Sequence, residues 1–132
     1  MAICLDSTVI IDFLKGQREA ISIIQSYEQN SLIATEISVF EVFVGIYLKE
    51  FVNAHEIAKA TDFFSSLPIL YFDDSCGQEA ALIHASLSKK GAMVEQGDIF
   101  ISAIMRKNNC NEIITRNVKD YSRIEGIKAI GY

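Results

Sequence analysis

Short apolar runs alternate with helical segments along this chain, and that alternation restricts its fold more than any other feature. Ala2–Leu5, Leu32–Ala34, Ile69–Phe72, Glu112–Ile114 and Ile127–Ile130 read as strands. Between them the sequence predicts helices over Thr8–Lys15, Glu19–Gln29, Ser38–Val52, residues 53–66, Ser75–Lys90 and Asp98–Asn108. Gly16 and Gly91 stand at two of the helix ends, and Pro68 follows a third. Strands separated by helices pair in parallel through right-handed crossovers, so the expected fold is α/β with a central parallel sheet of about five short strands. No linker, repeat or low-complexity tract interrupts the 132 residues, which read as a single domain, 1–132, large enough to enclose its own core.

Polar residues recur where a predicted strand ends or a helix begins. Asp6 follows Ile3-Cys4-Leu5, Glu41 lies near the start of the third helix, Asp98 opens the sixth, and Asn117 and Asp120 follow the strand at 112–114. Strand carboxyl ends and helix amino ends meet along one edge of an open α/β sheet, so these groups are placed to converge there. Several acids in one crevice repel one another unless a divalent cation neutralises them, which points to a Mg²⁺ or Mn²⁺ site for phosphoryl chemistry.

Each position also has a structural explanation. Asp6 reads as a helix N-cap, although Ser7 and Thr8 beside it offer the same function and leave the aspartate in surplus. Ser38-Val39-Phe40-Glu41 has the form of a capping box, which makes Glu41 a cap and, pointing back from the first turn, also a candidate site residue. Asp98 suits a helix start electrostatically, while Gly97 before it allows close backbone approach and the helix after it is small and apolar. Asn117 reads equally as a turn residue, and Asp120 as a surface charge. Asp12, Asp73 and Asp74 fall outside the set.

Charge is unevenly distributed. Residues 1–85 carry 4 basic and 12 acidic side chains, whereas residues 86–132 carry 8 and 5. The net charge of −5 argues against binding nucleic acid over the whole surface, yet the basic second part, with Arg116 and Lys119 beside the acids, suits a local phosphate-binding rim. Solvated helix faces are the plainer account. Cys4, Cys76 and Cys110 show no paired spacing, His55 and His84 lie far apart, and the amino terminus lacks a basic leader. Together these features predict a reducing, cytoplasmic setting without a membrane span, and a buried thiol at Cys4. The Ser38–Val52 segment is apolar around most of its circumference, so one face is expected to pack against a second copy or another protein.

The runs LDSTVIIDFL, ISVFEVFVG, GDIFISAIM and ITRNVKDY, in this order and spacing, resemble the four motifs of the PIN domain. Within that family they are most similar to the small VapC-type ribonuclease toxins, whose partners are VapB antitoxins. The resemblance implies a three-layer α/β/α fold, a homodimer, for which the apolar 38–52 region is the candidate interface, and a Mg²⁺ or Mn²⁺ site at the strand carboxyl ends. It also implies RNA as substrate, with 5′-phosphate and 3′-hydroxyl products, and an antitoxin tail lying over the site. Asp6, Glu41 and Asp98 match the three acidic motif positions. The fourth matches Asn117, with Asp120 as a nearby acid for the metal. Ser7 and Thr115 match polar positions near the ligands, and Tyr121 stands where Phe is usual. Two other classes remain in view. One is a catalytically silent PIN-fold binding module. The other, a receiver-like phospho-acceptor, lacks the paired acids and the late lysine that it requires.

Overall fold

A computed structural model describes all 132 residues. The elements run β1 (Ile3–Leu5), α1 (Ser7–Leu14), α2 (Arg18–Gln25), β2 (Leu32–Thr35), α3 (Glu36–Tyr47), α4 (Ala54–Ser65), β3 (Ile69–Leu70), α5 (Cys76–Lys89), α6 (Gln96–Lys107), β4 (Glu112–Ile114), α7 (Val118–Tyr121) and β5 (Lys128–Ile130). All five strands are parallel, in the order β3-β2-β1-β4-β5. The chain builds outward from β1 to one edge, then returns to β1's other side and builds outward again. That reversal puts the topological switch point at β1, where α/β folds place their functional crevice.

Strand alternation divides the core in two. Cys4, Ile33 and Ile113 face a cluster with Ala80, Ile83 and Leu87 of α5, Ile99, Ala103 and Met105 of α6, and Tyr121 of α7. Ile3, Leu5, Leu32, Ala34 and Ile114 face the opposite cluster, built from α1 to α4 around Val9, Ile10, Ile24, Val42, Ile46 and Phe64. The result is the expected three-layer α/β/α sandwich. Cys4 is a buried free thiol, as its position in β1 implied. No helix is long and apolar enough to cross a membrane.

The structure corrects the sequence reading around the third helix. Its N-cap is Thr35, whose Oγ1 accepts a hydrogen bond from the Ser38 amide at 3.2 Å, so the helix starts at Glu36. Ser38 is therefore inside the first turn, Glu41 lies in the second, and no capping box exists there. The helix also ends at Tyr47, capped at Leu48, five residues before Val52. Phe51 and Val52 belong to the exposed connection to α4. The shortening leaves Phe40, Tyr47, Leu48, Phe51 and Val52 exposed, so the apolar surplus survives as a surface rather than as a continuous helix face. The remaining boundaries shift by small amounts, except that β3 contracts to two residues, the second helix ends at Gln25, before a short 3₁₀ turn at Gln29–Ser31, and a short helix, α7, forms where the sequence reading had none.

Candidate active site

Asp6 leaves the end of β1 at the switch point, and its amide donates to the Ile114 carbonyl of β4 at 3.0 Å. It occupies the N-cap position of α1, yet its side chain makes no capping bond. Three hydroxyls hold the carboxylate instead. Thr115 and Thr8 donate to Oδ2 at 2.7 and 3.0 Å, and Tyr121 donates to Oδ1 at 3.2 Å. Only 2% of Asp6 is exposed. The first helical turn beside Asp6 and, more than 100 residues later in the sequence, a strand end and α7 thus converge on one acid.

Asp98 comes from the opposite face of the sheet, in the first turn of α6, and is also buried. The Asn117 side-chain amide joins it to Asp120, donating to Asp98 Oδ2 at 2.9 Å and to Asp120 Oδ2 at 3.1 Å. Asn117 is itself fixed by its backbone N–H, which donates to Thr115 Oγ1 at 2.8 Å. Thr115 therefore connects the Asp6 group to the Asp98 group. Glu41 reaches the same region from α3. A β-carbon at Gly97 would lie 2.7 Å from Glu41 Oε2, so the glycine beside Asp98 makes room for this carboxylate. Glu41 Oε1 is buried with no hydrogen-bond partner.

The electrostatics reflect this crowding. Burial, then the charge of Asp6, pushes the Asp98 carboxyl up to about 7. Burial raises Asp6 as well, against the pull of hydrogen bonds led by Thr115 and Thr8. Glu41 is raised by burial, opposed by the Ser7 hydroxyl beside it, and raised further by Asp6 and Glu95. All three shifts have the sign expected for acids that share an enclosed space without a compensating cation. No three His, Cys, Asp or Glu side chains close into a ready-made cation cage. The polar links between these acids run through hydroxyl and amide donors.

The basic residues are placed differently. Arg116 forms an ion pair with Asp12, Nε to Oδ2 at 3.0 Å, and Lys119 lies exposed on α7. Thr8 and Tyr121 are site residues that sequence reasoning assigned to capping and packing. Their signals were a surplus of caps after β1 and a hydroxyl where the family pattern has none. Asp12 had no comparable signal.

Comparison with known proteins places the fold in a family. The PIN domain family profile matches residues 3–127. Ribonuclease VapC2 of Haemophilus influenzae is 27% identical over 126 residues, covering 94% of this chain and 92% of the relative. Among solved structures, VapBC2 from Rickettsia felis bound to a promoter DNA fragment superposes with a TM-score of 0.88 at 19% identity, covering 100% of this chain and 99% of that one. DNA-bound VapBC from Salmonella typhimurium gives 0.87 at 22% identity, covering 99% and 98%. A profile match spanning nearly the whole chain, on a five-stranded parallel sheet with its switch point at β1, makes this chain a member of the PIN domain family.

Proposed function

We propose that this chain is the ribonuclease toxin of a VapBC-type toxin–antitoxin pair, an endoribonuclease that uses Mg²⁺ or Mn²⁺ to hydrolyse RNA phosphodiester bonds. The observation that carries this reading is the enclosure of Asp6, Glu41 and Asp98 at one switch point, with Glu41 Oε1 buried and unpartnered. Its resemblance to a protein named Ribonuclease VapC2, and to structures of VapBC complexes, supports the same conclusion.

The residues suit a hard divalent cation. Their donors are all oxygen, carboxyls pushed upward by burial and then by one another's charge regain their charge when a cation arrives, and Mg²⁺ binds through a few carboxylates plus water rather than in a closed protein cage. Asp6, Glu41 and Asp98 would hold the ion, with Asp120 contributing beside Asn117. The bound ion would supply a lowered water pKa and positive charge at the scissile phosphate. Thr115 and Thr8 fix the direction of Asp6, leaving one of its oxygens to Tyr121. Asn117 keeps Asp98 and Asp120 at a set separation by donating to both. Ser7 stands beside Glu41. Arg116 and Lys119, on the rim, would engage phosphates that flank the cut.

A VapB-type antitoxin is the proposed partner. A groove of about 400 Å³ between α1, α3 and α4 is lined by Ile11, Leu14, Val42 and Ile46, with Lys15 and Lys59 around it and Lys49 paired with Glu56. That lining suits an amphipathic helix carrying acids on its flanks. The exposed Phe40, Leu48 and Phe51 support self-association through the 38–52 region. Sedimentation that found only monomer at micromolar concentration would contradict the self-association.

The test is to incubate purified, antitoxin-free protein with a mixed structured-RNA pool in Mg²⁺, in Mn²⁺ and in EDTA, beside Asp98→Asn. Cutting that needs the cation and is lost in the variant is expected, with 5′-phosphate ends on the products. A folded protein that binds Mn²⁺ and cuts no RNA would shift the reading to a silent binding module.

A further inference from the structure

Arg116 is tied to the carboxylate site by its backbone and to a separate set of residues by its side chain. Its N–H donates to Thr8 Oγ1 at 3.0 Å, and that hydroxyl donates to Asp6 Oδ2. Two hydrogen bonds therefore separate the Arg116 backbone from the first motif aspartate. Its guanidinium grips Asp12 at two points, Nε to Oδ2 at 3.0 Å and Nη2 to Oδ1 at 3.2 Å. The Tyr132 hydroxyl donates to the same Oδ2 at 2.6 Å. Residues from α1, the end of β4 and the last position of the chain thus meet at a single carboxylate.

The two ends of this ion pair differ in exposure. Asp12 is 15% exposed and Arg116 57%. The acid is anchored in α1 and pinned by Tyr132, while the guanidinium extends into solvent. A guanidinium carries five N–H donors; the fork on Asp12 uses two and the Tyr132 hydroxyl stands beside the group, which leaves the solvent-facing edge free. Such an exposed pair adds little to stability by itself. What the contacts do accomplish is to fix the plane of a planar, permanently charged group whose free edge matches phosphate geometry.

We propose that Asp12 and Tyr132 are positioning residues that hold Arg116 with its free edge turned to an RNA phosphate flanking the scissile bond. This rests on the nuclease reading of the same site. The arrangement gives a specific expectation for each variant. Asp12→Asn removes a negative charge near a polyanion, which charge alone would translate into a lower KM. Loss of the two-point fork does the opposite, because Arg116 no longer meets the phosphate pre-aligned. Arg116→Lys keeps the charge and loses the planar fork, so it should behave like Arg116→Gln.

The experiment measures kcat and KM on one RNA that the wild-type protein cuts, for wild type, Asp12→Asn, Tyr132→Phe, Arg116→Lys and Arg116→Gln. Binding of the same RNA to each in an Asp98→Asn background is measured at two salt concentrations. Asp12→Asn and Arg116→Lys should each raise KM by roughly tenfold, the factor that one charge-assisted hydrogen bond supplies, and more than they lower kcat. Tyr132→Phe leaves the Asp12 carboxylate in place and should shift KM in the same direction by a smaller factor. It therefore keeps the test decisive if Asp12→Asn folds poorly. A KM that falls or stays unchanged in Asp12→Asn, or a wild-type KM in Arg116→Lys, would overturn the proposal while leaving the nuclease reading intact. A wild-type protein that cuts no RNA would overturn both.

Discussion

Replacing Tyr121 with Phe removes one hydroxyl from a fully enclosed position and tests the geometry of the site independently of its activity. Tyr121 is completely buried, and its hydroxyl donates to Asp6 Oδ1 at 3.2 Å. The same group also stabilises the Asp98 carboxylate. A hydrogen bond to a charged acceptor contributes about 1.5–3 kcal/mol. The distance is at the long end of the usual range. Thr115 and Thr8 still serve the other oxygen of Asp6. The lower figure therefore applies, a loss of about 1.5 kcal/mol, or roughly 5 °C in Tm for a chain of this size. Thermal unfolding in EDTA at pH 8, above the value of about 7 to which Asp98 is pushed, reads this directly. A double-mutant cycle with Asp6→Asn should give a coupling of about 1 kcal/mol between the two positions. An unchanged Tm, or strictly additive effects of the two substitutions, would refute the claim that this phenol supports the acid pair.

Three further outcomes follow from particular contacts. Thr35→Ala removes the true N-cap of α3 and should cost about 1 kcal/mol in urea unfolding, whereas Glu41→Gln should not act through a cap at all. Gly97→Ala needs no unusual backbone but drives a methyl group against Glu41 Oε2, so RNA cleavage should fall far more than Tm. The folded protein holds the Asp98 proton up to about pH 7, well above its ordinary 3.8, so the folded state binds more protons than the unfolded chain between those values. The Asp98 contribution to cation-free stability should then be fully present below about pH 4 and be lost as pH rises through about 7. Mn²⁺ affinity should rise over the same interval, and a melting temperature that climbs from pH 5 to pH 8 in EDTA would contradict this.

Much of the architecture was legible because strands and helices differ in hydrophobic period, and five apolar runs with helical segments between them leave few topologies open. The acids at strand ends were legible for a related reason, since parallel strands bring their carboxyl ends to one edge. Errors arose where two neighbouring residues offer the same local chemistry. Thr35 and Ser38 are both good caps three positions apart, and the strand end at Thr35, paired with Leu70 in β3, decides between them. The connection after Tyr47 contains Leu48, Phe51 and Val52 and no glycine or proline, so its composition imitates continued helix. Thr8 lies two residues from Asp6, where capping explains it equally well, and Tyr121 reaches Asp6 across 115 residues, a contact that no local pattern encodes. The pairing of Asp12 with Arg116 spans 104 residues and exists only once the sheet is assembled.

The central claim is that Asp6, Glu41 and Asp98 form one cation site that cuts RNA. Its most direct test is a Mn²⁺ titration that follows ion binding and RNA cleavage in the same samples, for wild type and Asp98→Asn. The account predicts that binding and cleavage rise together in the wild type and that both are lost in the variant, which remains folded. Full cleavage in EDTA, or wild-type cleavage by Asp98→Asn, would contradict it.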